Sequence, residues 1–103
     1  MILEVGSNDF EREVINFKGK VIADFWAPWC NPCKMMHPVF ENLDKEVGDV
    51  IKIVKVNIDD NPELASKFGV MSIPTFIVFE NGEMIDSKVG VQSIESLKEM
   101  LDM

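Results

Sequence analysis

Trp26-Ala27-Pro28-Trp29-Cys30-Asn31-Pro32-Cys33-Lys34 carries both cysteines of a 103-residue chain, two residues apart. The apolar run 21–25 ahead of it reads as a buried strand, and the residues after it turn apolar at helical spacing. The cysteines thus sit where a strand hands over to a helix. In the first turn of a helix, positions i and i+3 share one face, with Cα atoms roughly 5–6 Å apart and inside the disulfide range. Such a pair closes and opens with little backbone movement, which is the geometry of a redox switch.

Position also governs acidity. The thiolate, not the thiol, attacks a disulfide, and a helix N-terminus stabilises it through partial positive charge and unpaired N–H groups. Cys30 stands just before the helix, and Pro32 suits its first position, where no N–H is needed. Cys30 is therefore the expected nucleophile and Cys33, one turn further in, the resolving thiol. Two bland readings of the motif compete with this one. A structural zinc site wants four ligands, and the only other Cys or His is His37, at i+4 from Cys33. A purely structural bridge across so short a loop would restrain little unfolded-chain entropy.

Working outward, residues 2–5 read as a short edge strand. Asn8 is placed to cap a helix, with Glu11 completing a capping box and Phe10, Val14 and Phe17 as its buried stripe, ended by Gly19. Residues 20–26 form a near-continuous apolar strand, as expected where helices cover both faces of a sheet. The helix from Pro32 runs to about Val47, with Met36, Phe40 and Leu43 inward, a kink at Pro38 and a stop at Gly48. A strand over 50–58 follows, then a short helix from Asn61-Pro62 to Phe68-Gly69. Strands 75–79 and 83–89 flank Asn81-Gly82, a strong hairpin signal, and Ser93 caps a last helix with Ile94, Leu97 and Leu101 inward. The order βαβαβαββα is that of an α/β chain with parallel crossovers first and an antiparallel hairpin last.

At this length a single domain over 1–103 is expected. The net charge of −8 argues against a nucleic-acid surface, which needs clustered Lys and Arg. No apolar run approaches the ~20 residues that span a bilayer, and the start lacks the basic n-region of a signal peptide, so the cytoplasm is favoured.

The segment Asp24-Phe25-Trp26-Ala27-Pro28-Trp29-Cys30-Asn31-Pro32-Cys33-Lys34-Met35 closely resembles the thioredoxin family. Lys55-Val56-Asn57-Ile58-Asp59, Ser72-Ile73-Pro74-Thr75-Phe76 and Val89-Gly90 match it in the family's order, so the resemblance spans essentially the whole chain. It implies the thioredoxin fold, a central mixed sheet with helices on both faces, and a monomeric protein-disulfide reductase recycled by a flavin-containing thioredoxin reductase, with no cofactor or metal of its own. It implies that Asp24 lies beneath the site and assists proton transfer for Cys33, with Lys55 nearby. It also implies a cis Ile73–Pro74 bond packed against the cysteines, with Ile73 backbone groups open to an extended substrate. One departure stands out. The family's usual Gly-Pro between the cysteines is here Asn31-Pro32, which makes this pair the expected tuner of redox potential.

The residues read on their own agree in part. Asp24 interrupts an apolar strand, where an ionisable group is rarely buried without a partner or a task; a hydrogen-bonded strand-end carboxylate is the plain alternative. Trp26 reads as partly core and Trp29 as a wall of the docking surface. Gly90 marks close backbone approach there, or a plain bulge. Lys55 reads as an exposed strand residue, His37 as a solvent-facing helix residue with a minor electrostatic role open through its nearness to Cys33, and the methionines as core filler unless they face the site. Two rival functions remain: an oxidase or isomerase using the same cysteines at higher potential, and a binding module clamping partners through Trp29, Ile73 and Pro74.

Overall fold

Val21, Ile22, Ala23, Asp24 and Phe25 are all completely buried, and the rest of the chain is laid down around them. A computed structural model describes residues 1–103. The central strand β2 (Lys20–Trp26) lies between β3 (Lys52–Asn57), parallel to it, and β4 (Thr75–Glu80), antiparallel. β1 (Ile2–Glu4) adds in parallel at one edge and β5 (Glu83–Val89) in antiparallel at the other, giving the order β1-β3-β2-β4-β5. Parallel pairs joined by helical crossovers must bury both faces, which is why β2 reads as an unbroken apolar run.

Side chains alternate across a strand, so the two faces of the sheet meet different helices. On one face Ile22, Ile53, Phe76 and Val78 pack with Met36, Phe40 and Leu43 of α1 (Asn31–Val47) and with Leu97 and Met100 of α3 (Ile94–Met100). On the other, Val21, Ala23, Phe25, Ile77 and Phe79 pack with Val14 and with Leu64 of α2 (Pro62–Lys67). By this alternation Asp24 and Lys55, in register on β2 and β3, both project toward α1.

Several local expectations hold. Ser93 Oγ accepts the Ser96 N–H at 3.0 Å at the start of α3. Asn81 and Gly82 both take positive φ, as a two-residue hairpin turn requires. α1 continues through Pro38 to Val47.

Three expectations are corrected. The capped helix after Asn8 is a single wide π-helical turn over Glu11–Ile15, with no side-chain cap. Asp9 Oδ1 instead takes the Gly6 N–H at 2.7 Å, and this side-chain bond closes a tight turn where the first helical turn would have been. The strand expected over 50–58 is Lys52–Asn57, because the N–H groups of Val50 and Ile51 bond back to the Val47 carbonyl and prolong the helix exit. Pro32 is the second helical residue rather than the first, since Asn31 already opens α1.

Candidate active site

Strand β2 ends at Trp26, and a short loop delivers Cys30 to the N-cap of α1 in extended conformation, φ −89° and ψ 109°. Its Sγ accepts the Cys33 N–H at 3.2 Å, taking one of the donors a helix start leaves unpaired. Cys30 and Cys33 are joined by a disulfide, with Cα atoms 5.3 Å apart. Cys30 retains 5% of its surface and Cys33 none, so Cys30 is the outer residue of the pair. Asn31 and Pro32 between them are exposed. The helix end that stabilises a Cys30 thiolate is thus in place, and the buried partner stands one turn inside.

Around the sulfurs lies open surface: none of the clefts of the molecule is lined by Cys30, Cys33, Trp29, Ile73 or Pro74. Trp29 is 65% exposed, and its Nε1 donates to both Asp59 oxygens, at 2.9 and 3.1 Å. Sequence reasoning does not single out Asp59 as a site residue. It lies four residues after Lys55, and only the fold brings it across to hold the indole. Ile73–Pro74 is cis, and the Ile73 carbonyl oxygen stands 3.8 Å from Cys30 Sγ. Ile73 packs with Ala27, Cys30 and Cys33.

Gly90 donates its N–H to the Pro74 carbonyl at 2.7 Å, which ties it to the same corner. A Cβ there would meet nothing within 4 Å, so close approach does not demand the glycine; its φ of +93° does. The methionines divide between core and surface. Met36 and Met100 are core, while Met35, just past Cys33, and Met71, two residues before Ile73, are exposed.

Asp24 is completely buried, and neither of its oxygens has a hydrogen-bond partner. Burial dominates its acidity and lifts its pKa from 3.8 to about 7, against a smaller downward pull from Lys55; the Glu4 charge adds a little upward. Lys55 is half-buried rather than exposed: its Nζ lies 2.7 Å from His37 Nδ1 and 4.6 Å from the centre of the Trp26 ring. His37 is correspondingly not a free helix residue. Its ring meets Trp26 edge-on, centroids 5.7 Å apart, and burial, followed by the Lys55 charge, holds its pKa below the usual value. Sequence reasoning has no signal for this pairing of a β3 side chain with an α1 side chain 18 residues earlier.

The thioredoxin family model matches residues 1–103. The thioredoxin of Bacillus subtilis (strain 168) is 54% identical over 85 residues, 82% of each chain. That of Rickettsia bellii (strain RML369-C) is 44% identical over 102 residues, 99% of this chain and 97% of the relative, and that of Listeria monocytogenes serovar 1/2a (strain ATCC BAA-679 / EGD-e) is 42% identical over the same shares. Likeness of this extent, together with a dithiol pair at disulfide distance on a helix N-terminus, makes the chain a member of the thioredoxin family, a protein-disulfide oxidoreductase working by dithiol–disulfide exchange.

Proposed function

We propose that the protein acts as a reductant of protein disulfides in the cytoplasm, as a monomeric single domain over 1–103 that carries electrons from a thioredoxin reductase to its substrates. The Cys30 thiolate attacks one sulfur of the substrate disulfide, forming a mixed disulfide and expelling the other substrate sulfur as a thiolate. Cys33, deprotonated with help from Asp24, then attacks Cys30 Sγ; the second substrate thiolate leaves and the Cys30–Cys33 disulfide remains. Two electrons have passed to the substrate, whose thiolates take up protons. A reductase returns the pair to the dithiol.

The observation that carries this reading is the unequal exposure of two linked cysteines on an open surface: Cys30 keeps a little of its surface and Cys33, one turn inside, keeps none. A surface without a cleft suits a protein segment better than a small molecule. Trp29, Ile73, Pro74 and Gly90 border it and are the proposed contacts for an extended substrate strand, with Asn31 and Pro32 setting the potential.

The test is reduction of insulin disulfides under dithiothreitol. Cys30→Ser should abolish catalysis, and Cys33→Ser should trap a covalent mixed disulfide through Cys30. Trapping through Cys33 in the reciprocal variant would reverse the assignment. Full partner binding together with no turnover by the native protein would favour a docking role instead.

A further inference from the structure

Lys55 has carboxylates in register on both sides. In the parallel pairing Asp24 of β2 lies opposite it on one flank and Glu4 of β1 on the other. Its ammonium contacts neither strongly. It lies on a neutral imidazole instead, 2.7 Å from His37 Nδ1, while the Asp24 oxygens stay without a hydrogen bond. An ammonium has only donors, so Nδ1 accepts, which fixes the neutral tautomer with the ring proton on Nε2. The Trp26 ring closes the arrangement, with Lys55 over its face and the His37 ring against it edge-on. The cluster lines a cleft of ≈ 570 Å³ between β1 and α1, so His37 has a route to solvent that Asp24 lacks.

We infer that His37 is a positioning residue that captures the Lys55 ammonium on Nδ1 and keeps that charge off the buried Asp24 carboxyl. The consequence is electrostatic. A cation brought onto Asp24 would favour its ionised form and drain the proton affinity that burial gives it. Held at the cleft, Lys55 exerts only a partial pull, and Asp24 titrates near 7. Other charges face the cluster: Glu41 and Lys34 act on His37 from α1, Glu4 acts on Asp24, and Asp60 acts on Glu4. None of these holds Lys55 by a hydrogen bond; His37 does. The effect on the resolving step rests on the role proposed for Asp24, whereas the clamp itself can be measured without it.

The measurement is a ¹³C NMR titration of the Asp24 carboxyl in the reduced full-length protein. His37→Ala should free Lys55 to turn onto Asp24 and raise the acid dissociation constant of Asp24 roughly threefold or more, a midpoint lowered by about half a pH unit. His37→Asn places an amide oxygen near the Nδ1 position and should restore the native midpoint. In a Lys55→Met background His37→Ala should change nothing, because no cation remains to be released. An unchanged or raised midpoint in His37→Ala, which would include Lys55 turning to Glu4 alone, overturns the inference. So does an Asn variant that behaves like Ala. If the midpoint moves as expected but the rate of mixed-disulfide resolution does not follow it with pH, the clamp stands and the role proposed for Asp24 falls.

Discussion

At the residue scale Asp24 decides most. Its folded pKa is raised from 3.8 to about 7, so the folded state holds the proton more tightly than the unfolded chain. The contribution to stability is then fully present below pH ~4 and is lost as pH rises through 7. Each pH unit separating the folded and unfolded midpoints corresponds to about 1.4 kcal/mol, so the charged carboxylate costs the native state about 4 kcal/mol above neutrality. Asp24→Asn removes that dependence. Its stability relative to the native protein should climb between pH 4 and 7 and level off above, by a few kcal/mol in all, while resolution of the mixed disulfide slows. Urea unfolding at a series of pH values checks the first half and single-turnover reduction the second; a pH-independent difference would mean that Asp24 is not a buried titrating acid. This residue was legible in the sequence because an acid breaking Val21-Ile22-Ala23 and Phe25-Trp26 is conspicuous. Its neighbours were not. Lys55 and His37 become partners only when β3 and α1 pack, and no periodicity within either element encodes that contact.

At the element scale the legible parts are those whose signal is local. Asn81-Gly82 names its own turn, Ser93 its own cap, and the apolar spacing of Met36, Phe40 and Leu43 its own helix face. The capped helix after Asn8 failed because the cue was satisfied elsewhere: Asp9, not Glu11, supplies the carboxylate, and it takes the Gly6 N–H rather than that of Asn8. The hairpin shows how a local signal acquires a distant role. Asn81 exchanges hydrogen bonds with Gly19, its N–H to the Gly19 carbonyl at 3.0 Å and its Oδ1 from the Gly19 N–H at 2.9 Å, and so pins the turn to the start of β2. Gly82 sits against the Ile15 carbonyl, and a Cβ there would collide with it. Gly90 has a comparable positive φ but faces open space. Gly82→Ala should therefore destabilise the fold by about 2–3 kcal/mol and Gly90→Ala by about 1, with unchanged dependence on denaturant. Equal losses at the two positions would remove the close packing of the hairpin on the π-helical turn as a source of stability.

At the scale of the whole molecule, the net charge of −8 surrounds a site that itself offers no pocket. An open surface gains little selectivity from shape, so the long-range field carries more of the choice between substrates. Near the sulfurs the signs are mixed, with Lys34 just after Cys33 and Asp59 holding the Trp29 indole. At long range the net charge of −8 sets the sign of the field. Screening extends to about 30 Å at 0.01 M salt and to about 8 Å at 0.15 M, so added salt should erase the distant field while sparing those near contacts. Two peptides with the same disulfide loop, one carrying flanking lysines and one flanking glutamates, separate the two effects. At low salt the basic peptide should be reduced faster, on the order of tenfold, with the ratio falling toward one as salt rises. The difference should lie in the bimolecular attack by Cys30 and not in the later attack by Cys33, which is intramolecular and sealed from solvent. A ratio that stays constant with salt would assign the preference to direct contacts at Trp29 and Ile73, and one below unity at low salt would mean that Lys34 and its neighbours outweigh the charge of the whole.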